Sequence, residues 1–362
     1  MGLLGRKSVV FLSLLPKKCL IIVAMMIRKP EPLQKGDAIT LIAPSFGCTT
    51  EPYLTRFEAA IKRLKKEGYL IIEGPNVRRA DGVCSSASPQ ERAKEFMDAY
   101  LDPNSKAIFS VGGGELMSEM LPHIDFEVIA NAKPKWFMGF SDNTNLTLPL
   151  TLLCDIQTIY GPNAPSFYEK PFRAAQKDAL DMLSGQSHFE DYPKWTYGTK
   201  KTQPALWRPR FNRERIIVPH NFEKPVEGML LGGCLDCIVN LLGTKYIDAS
   251  AFFEKHHDEK IIWYFEACDL NVLALRRALF ELKEAGYFKN AAMFIFGRHL
   301  SARDEIMGVN RFNAALDILG EYDVPMLFDV ALGHLGPSIP VRNGAKCRID
   351  YDGSKMIMDY LD

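Results

Sequence analysis

A serine stands at the end of the apolar run Trp136-Phe137-Met138-Gly139-Phe140-Ser141-Asp142-Asn143-Thr144, where the chain turns at once into polar, helix-starting residues. A buried strand that stops in a Gly-x-Ser turn holds the hydroxyl at the lip of a sheet and near a helix N-terminus, where developing negative charge is favoured. Such a hydroxyl attacks a carbonyl only when a base takes its proton, so partners are required. Two later strand ends offer them: the run Lys260 to Phe265 breaks at Glu266, and the segment Val324 to Gly333 ends at His334. A histidine would deprotonate the serine, and an acid would fix the imidazole tautomer and stabilise its cation. Other uses of these residues stay open. Ser141 could cap the helix that follows, Glu266 could be a first-turn charge for the helix expected over Leu270 to Gly286, and His334 could be a turn residue. Asp142 and Asp329 are rival acids, and Asn143 stands where hydrolase elbows usually carry a second glycine.

A fourth element comes earlier. The short strand Ala107 to Val111 runs into Gly112-Gly113-Gly114-Glu115, and glycine lets backbone N–H groups approach a ligand oxygen closely. Two such amides could hold the oxyanion of a tetrahedral intermediate. The rival use as a phosphate cradle lacks a Walker-type lysine and the spacing of a dinucleotide fingerprint.

These residues need a scaffold of strands ending at one edge. From Asp37 to Ile159 strand and helix patterns alternate: a strand over Ala38 to Ala43, a helix over Tyr53 to Glu67, a strand over Tyr69 to Ile72. Ser88-Pro89-Gln90-Glu91 reads as an N-cap, first-turn proline and capping-box glutamate. Such repeats make a parallel sheet whose ligands gather at the carboxyl ends of the strands. Between Tyr160 and Pro225 the pattern dissolves among prolines, with Trp195, Tyr197 and Trp207 set among basic residues. After Gly228 a second region mixes strands and helices and ends in strands over Ala345 to Tyr351 and Lys355 to Tyr360. The fold class expected is α/β: a Rossmann- or flavodoxin-like parallel-sheet domain, then a mixed α/β domain with small-barrel character, and the active site at their interface. The expected division is 1–34 as an extension outside the fold, 35–160 as the nucleophile domain, 161–224 as an irregular connection, and 225–362 as the domain carrying Glu266 and His334.

Taken together, the ordered pieces resemble the serine peptidases that include muramoyl-tetrapeptide LD-carboxypeptidases and the microcin C self-immunity proteins. The matching segments are Gly36-Asp37-Ala38-Ile39-Thr40-Leu41-Ile42-Ala43-Pro44-Ser45, Gly112-Gly113-Gly114-Glu115 and Gly139-Phe140-Ser141-Asp142, followed by Leu231-Gly232-Gly233-Cys234-Leu235 with Leu242-Gly243-Thr244, then Phe265-Glu266 and Gly333-His334. The resemblance implies Ser141 as nucleophile, Glu266 and His334 as its triad partners, and amides around Gly113 and Asp142 as oxyanion hole. It implies cleavage of an amide joining an L-centred residue to a terminal D-amino acid, such as the D-alanine of a murein tetrapeptide recycled in the cytoplasm. It also implies a homodimer and no metal or cofactor. A peptidyl-nucleotide hydrolase, with an aromatic such as Trp207 on the base, and a non-catalytic binding module are the alternatives. Which basic residue takes the substrate carboxylate, Arg298 and Arg342 among the candidates, is left open.

Composition agrees with a small-molecule enzyme. Of 362 residues 47% are hydrophobic and 24% charged, and 44 basic residues balance 44 acidic ones, so no basic field suggests nucleic acid. Eight scattered cysteines in a chain with ample core read as reduced thiols. Cys234-Leu235-Asp236-Cys237 opens a helical pattern and reads as packing rather than as redox or zinc chemistry. His256-His257 sit in a charged stretch and read as solvated. Met1 to Met26 carry two apolar runs split by Pro16-Lys17-Lys18, neither long enough to span a bilayer. They read as lying outside the fold, with translation starting at Met25 or Met26; an export signal is the alternative.

Overall fold

The computed structural model describes residues 27–198 and 203–362; the expectations for Met1 to Met26 lie outside the described residues. Short apolar runs build the first sheet: β1 (Ala38–Ile42), β2 (Leu70–Glu73), β3 (Ser105–Ser110), β4 (Trp136–Gly139) and β5 (Thr158–Tyr160). All five pair in parallel in the order β2-β1-β3-β4-β5, the flavodoxin-like doubly wound arrangement. β1 and β4 are buried at every position, as parallel strands covered on both faces must be. The helix Tyr53–Lys66 turns Phe57, Ala60, Ile61 and Leu64 inward at helical spacing. The helix Pro89–Leu101 starts at the expected capping box, with the Ser88 hydroxyl accepting from the Glu91 N–H and the Glu91 carboxylate accepting from the Ser88 N–H. Strand order reverses between β1 and β3, and ligands collect in the crevice that opens there at the carboxyl ends. Ser45 follows β1, the glycines follow β3 and Ser141 follows β4, all at that edge.

The remaining strands are β6 (His188–Glu190), β7 (Lys194–Trp195), β8 (Arg213–Glu214), β9 (Val218–His220), β10 (Val226–Cys234), β11 (Ile261–Glu266), β12 (Ala291–Gly297), β13 (Met326–Val330), β14 (Val341–Asn343), β15 (Lys346–Tyr351) and β16 (Met356–Tyr360). Eight form a mixed sheet ordered β6-β16-β15-β10-β11-β12-β13-β9. Its centre, β10 to β13, is parallel and its flanks are antiparallel. The edge strands β6 and β9 do not pair with each other, so the sheet is open. β7 and β8 form a separate hairpin. β14 leaves this half and pairs antiparallel with β5 at the edge of the first sheet. Two buried apolar clusters each draw residues from both sheets. No helix among the described residues is long and apolar enough to cross a membrane.

The structure corrects three expectations. Residues 28–34 are not outside the fold: Leu33 is buried and its N–H donates to the Leu183 carbonyl at 2.8 Å, while the Arg28 guanidinium reaches the Ala132 and Cys154 carbonyls. The partner of Leu33 is the helix Ala174–Leu183, which buries Ala175, Ala179, Leu180, Met182 and Leu183 within a stretch where prolines hid the helical period. His256 is buried rather than solvated, because its Nε2 meets the Asp155 carboxylate at 2.9 Å. The seven described cysteines are unpaired, and Cys234 and Cys237 flank the start of the helix Leu235–Leu241, which buries Leu235, Ile238 and Leu241.

Candidate active site

Ser141 adopts φ +63°, a left-handed conformation that a non-glycine residue takes at a cost of about 1–3 kcal/mol and that fits a tight strand-to-helix turn holding the hydroxyl out. Local packing enforces the turn. A Cβ on Gly139 would lie 2.4 Å from Asn143 Cγ, so the glycine before the serine makes room for Asn143. The Asn143 amide then donates to the carbonyls of Gly112 at 3.0 Å and Phe140 at 2.8 Å. Asn143 shapes the elbow where a second glycine is usual. The short 3-10 turn Ser141–Asn143 and the helix Thr144–Cys154 begin without a side-chain cap, so the serine hydroxyl is not used as one.

That hydroxyl lies 2.9 Å from His334 Nε2, and His334 Nδ1 lies 2.7 Å from Glu266 Oε2. Glu266 is the last residue of β11 and fully buried. His334 follows β13, the chain passing through Gly333 at φ +103°, where a Cβ would sit 2.6 Å from Glu266 Oε2. The second carboxylate oxygen is matched as well: the Tyr160 hydroxyl donates to Glu266 Oε1 at 2.5 Å and accepts the Ser141 N–H at 3.1 Å. Ser141, His334, Glu266 and Tyr160 thus close a ring of hydrogen bonds that crosses between the two sheets. Burial alone would lower the His334 pKa, but the Glu266 charge and the adjoining Cys268 side chain outweigh it and hold the imidazole above its ordinary value. Burial and the Glu266 charge push the Tyr160 phenol well up, so it stays a donor. The Phe140 ring packs on the imidazole with centroids 4.6 Å apart.

The glycine loop faces the same hydroxyl. A Cβ on Gly113 would lie 3.2 Å from Ser141 Cβ, and the N–H groups of Gly113 and Asp142 have no acceptor among the described residues. Two such donors beside a hydroxyl can hold an oxyanion. Gly112 is otherwise engaged, and Gly114 has a packing duty beside an N–H that also lacks an acceptor among the described residues. The Gly112 N–H goes to Ser110 Oγ, and Gly114 lets the chain pass Ser45, whose Oγ would lie 2.2 Å from a Cβ there. The Asp142 side chain, a rival acid, points away from the imidazole. It accepts from Ser45 Oγ at 2.5 Å, Met117 N–H at 3.1 Å and Asn145 Nδ2 at 2.8 Å, and burial raises its pKa against those bonds. The other rival, Asp329, is paired with Arg311 at 2.7 Å. Arg342 is bound to Asp362 at 2.6 Å and does not line the cavity beside His334. Beside His334 and Phe140 opens a cavity of about 300 Å³, reached by Arg56, Asn163 and Arg173. Tyr160 and Asn163, whose Oδ1 accepts the Phe140 N–H at 3.0 Å, escaped the sequence; a polar residue ending or following a short apolar strand is the only signal they carry. The arrangement suits attack on an acyl carbon by an activated hydroxyl.

Family models described as LD-carboxypeptidase N-terminal domain and LD-carboxypeptidase C-terminal domain match residues 39–161 and 227–349. The microcin C7 self-immunity protein MccF of Escherichia coli is 24% identical over 341 residues, covering 90% of this chain and 94% of that protein. A Bacillus subtilis protein named "Probable murein peptide carboxypeptidase" is 24% identical over 330 residues, covering 89% and 91%. The structure of MccF in its wild-type apo state matches with a TM-score of 0.78 at 23% identity, covering 92% of this chain and 99% of that one, and so shares the two-sheet fold.

Proposed function

The chain belongs to the LD-carboxypeptidase family, a family of peptidases, and we propose that it is a serine carboxypeptidase that releases a terminal D-amino acid, the D-alanine of a murein tetrapeptide, from an L-centred residue. The observation that carries this reading is the hydrogen-bonded series Ser141–His334–Glu266 beside two amides without acceptors among the described residues. In the proposed mechanism His334 Nε2 takes the Ser141 proton as Oγ bonds to the amide carbon, and the Gly113 and Asp142 N–H groups hold the oxyanion. The imidazolium, stabilised by Glu266, then gives its proton to the departing amine. The C–N bond breaks, the D-amino acid leaves, and a water deprotonated by His334 hydrolyses the acyl ester. The same reading has the enzyme act as a homodimer in the cytoplasm, with no metal or cofactor in the reaction.

The test is release of free D-alanine from L-Ala-D-Glu-diaminopimelate-D-Ala by the wild type beside Ser141→Ala and His334→Ala. Turnover by the wild type, with a loss on the order of 10³-fold or more in both variants, supports the reading. A folded wild type that releases none removes the substrate; a variant with near-normal rate removes its residue from the mechanism. A second reading follows from the likeness to MccF and from the half-exposed Trp207: release of an aminoacyl or peptidyl group from a nucleotide, with the indole on the base. Loss of that activity in Trp207→Ala, with D-alanine release intact, distinguishes the two.

A further inference from the structure

On the far side of the His334 loop, at the carboxyl ends of β12 and β13, lies a second cavity of about 560 Å³ whose walls include Trp195, Tyr197, Arg213, Arg298, His299 and Arg303. The two rings come from the β7 strand and the residues just after it, set edge to face with centroids 4.7 Å apart. Arg213 and Arg303 each lie 4.1 Å from the Tyr197 ring centre, and Arg298 lies 5.3 Å from that of Trp195. Three guanidinium groups therefore converge on one aromatic pair. The carboxylates of the same cavity are already engaged, Asp329 with Arg311 at 2.7 Å and Glu214 with Lys194 at 3.1 Å. No carboxylate among the described residues makes an ion pair with Arg213, Arg298 or Arg303.

Arg298 makes the case sharper. It is only 4% exposed, yet it gives two N–H groups to main-chain carbonyls, of Asp329 at 3.0 Å and Pro337 at 3.4 Å, and its Nε has no partner among the described residues. His299, equally buried, has an Nδ1 without a partner among the described residues. The buried Asp191, and after it Asp329, act on Arg298 through space, neither forming an ion pair with it. A buried cation without a contacting counter-ion is expensive, and like charges converging on one space repel. An oxyanion entering the cavity relieves both penalties, and the planar arginine fork matches carboxylate and phosphate oxygens. The cavity adjoins the reacting centre: Leu335, next to His334, forms part of its wall, and the Thr196 N–H donates to the Gly336 carbonyl at 3.1 Å.

We propose that this cavity is an anion subsite, in which Arg213, Arg298 and Arg303 receive a carboxylate or phosphate group of an extended ligand that reaches Ser141 from its other end. Only the last clause rests on the reading of Ser141 as nucleophile; capture of the anion does not. The test titrates the intact chain separately with inorganic phosphate and with glutarate, following heat by calorimetry, and repeats both with Arg213→Gln and Arg303→Gln. These two exposed residues carry the test because Arg298 is buried. Saturable binding that weakens about tenfold or more in each variant and fades with added sodium chloride supports the subsite. The tighter of the two anions tells whether it serves phosphoryl or carboxyl groups. No saturable binding of either anion to folded wild type, or binding that both substitutions leave unchanged, overturns it. No turnover is needed, so this outcome is separate from that of the D-alanine assay.

Discussion

Replacing Tyr160 by Phe removes one oxygen from a fully buried position and opens the hydrogen-bond ring at two places. Glu266 Oε1 loses its 2.5 Å donor, and the Ser141 N–H loses its 3.1 Å acceptor. A hydrogen bond to a charged group contributes about 1.5–3 kcal/mol, and Glu266 has no solvent with which to replace it. If the loss loosens the placement of Glu266 and His334 against the Ser141 hydroxyl by as much, kcat/KM drops about ten- to a hundredfold, since each 1.36 kcal/mol is a factor of ten. The pH profile supplies a sign that a packing defect does not. A carboxylate stripped of one donor attracts the imidazole proton more strongly, so the already raised His334 pKa rises further. His334 must be neutral to act as base, so the acid limb of kcat/KM moves to higher pH. The assay is D-alanine release from pH 5 to 10, with a thermal melt to show that the variant is folded. A folded variant within twofold of wild type, with an unmoved acid limb, refutes the idea that Tyr160 positions the pair.

Glu266→Gln should act in the opposite sense on the profile: the charge holding the His334 pKa up is gone, so the acid limb shifts to lower pH while kcat falls by on the order of 10³–10⁴; an unshifted limb counts against the pairing. Gly113→Ala sets a Cβ 3.2 Å from that of Ser141 and should displace an oxyanion donor, reducing kcat about a hundredfold or more with a small change in KM; a KM effect alone would place the loop in ground-state binding. Ser88→Ala removes the capping-box hydroxyl of the helix Pro89–Leu101 and should lower stability by about 1 kcal/mol in urea titration, leaving activity as it was.

What could be read from the chain follows from how parallel strands are buried. Such strands are apolar throughout, so the first polar residue after each run announces the edge where ligands sit. Ser141, Glu266 and His334 each stand just there, and the hydrogen bonds at 2.9 and 2.7 Å bring the three together. Tyr160 carries that signal only weakly, because a tyrosine at the end of a three-residue strand passes for core. Asn143 reads in the sequence only as a missing glycine, since two of its three contacts, to the Gly112 carbonyl and Asn163 Oδ1, lie on loops distant in sequence. The helix Ala174–Leu183 was obscured by flanking prolines, and with it the burial of Leu33. The pairing of β14 with β5 joins residues far apart along the chain, and no local periodicity encodes such a contact.

That last pairing bears on how the molecule holds together. β14 covers the edge of the sheet that carries Ser141, while the strands on either side of it in sequence, β13 and β15, belong to the sheet that carries Glu266 and His334. An N-terminal fragment ending near Tyr160 would therefore expose the backbone of β5 as an open edge, a surface prone to intermolecular pairing. The two halves are interleaved, and loosening either one uncovers part of the other. Their melting should be a single cooperative event, and the fold resists being cut and recombined as independent modules.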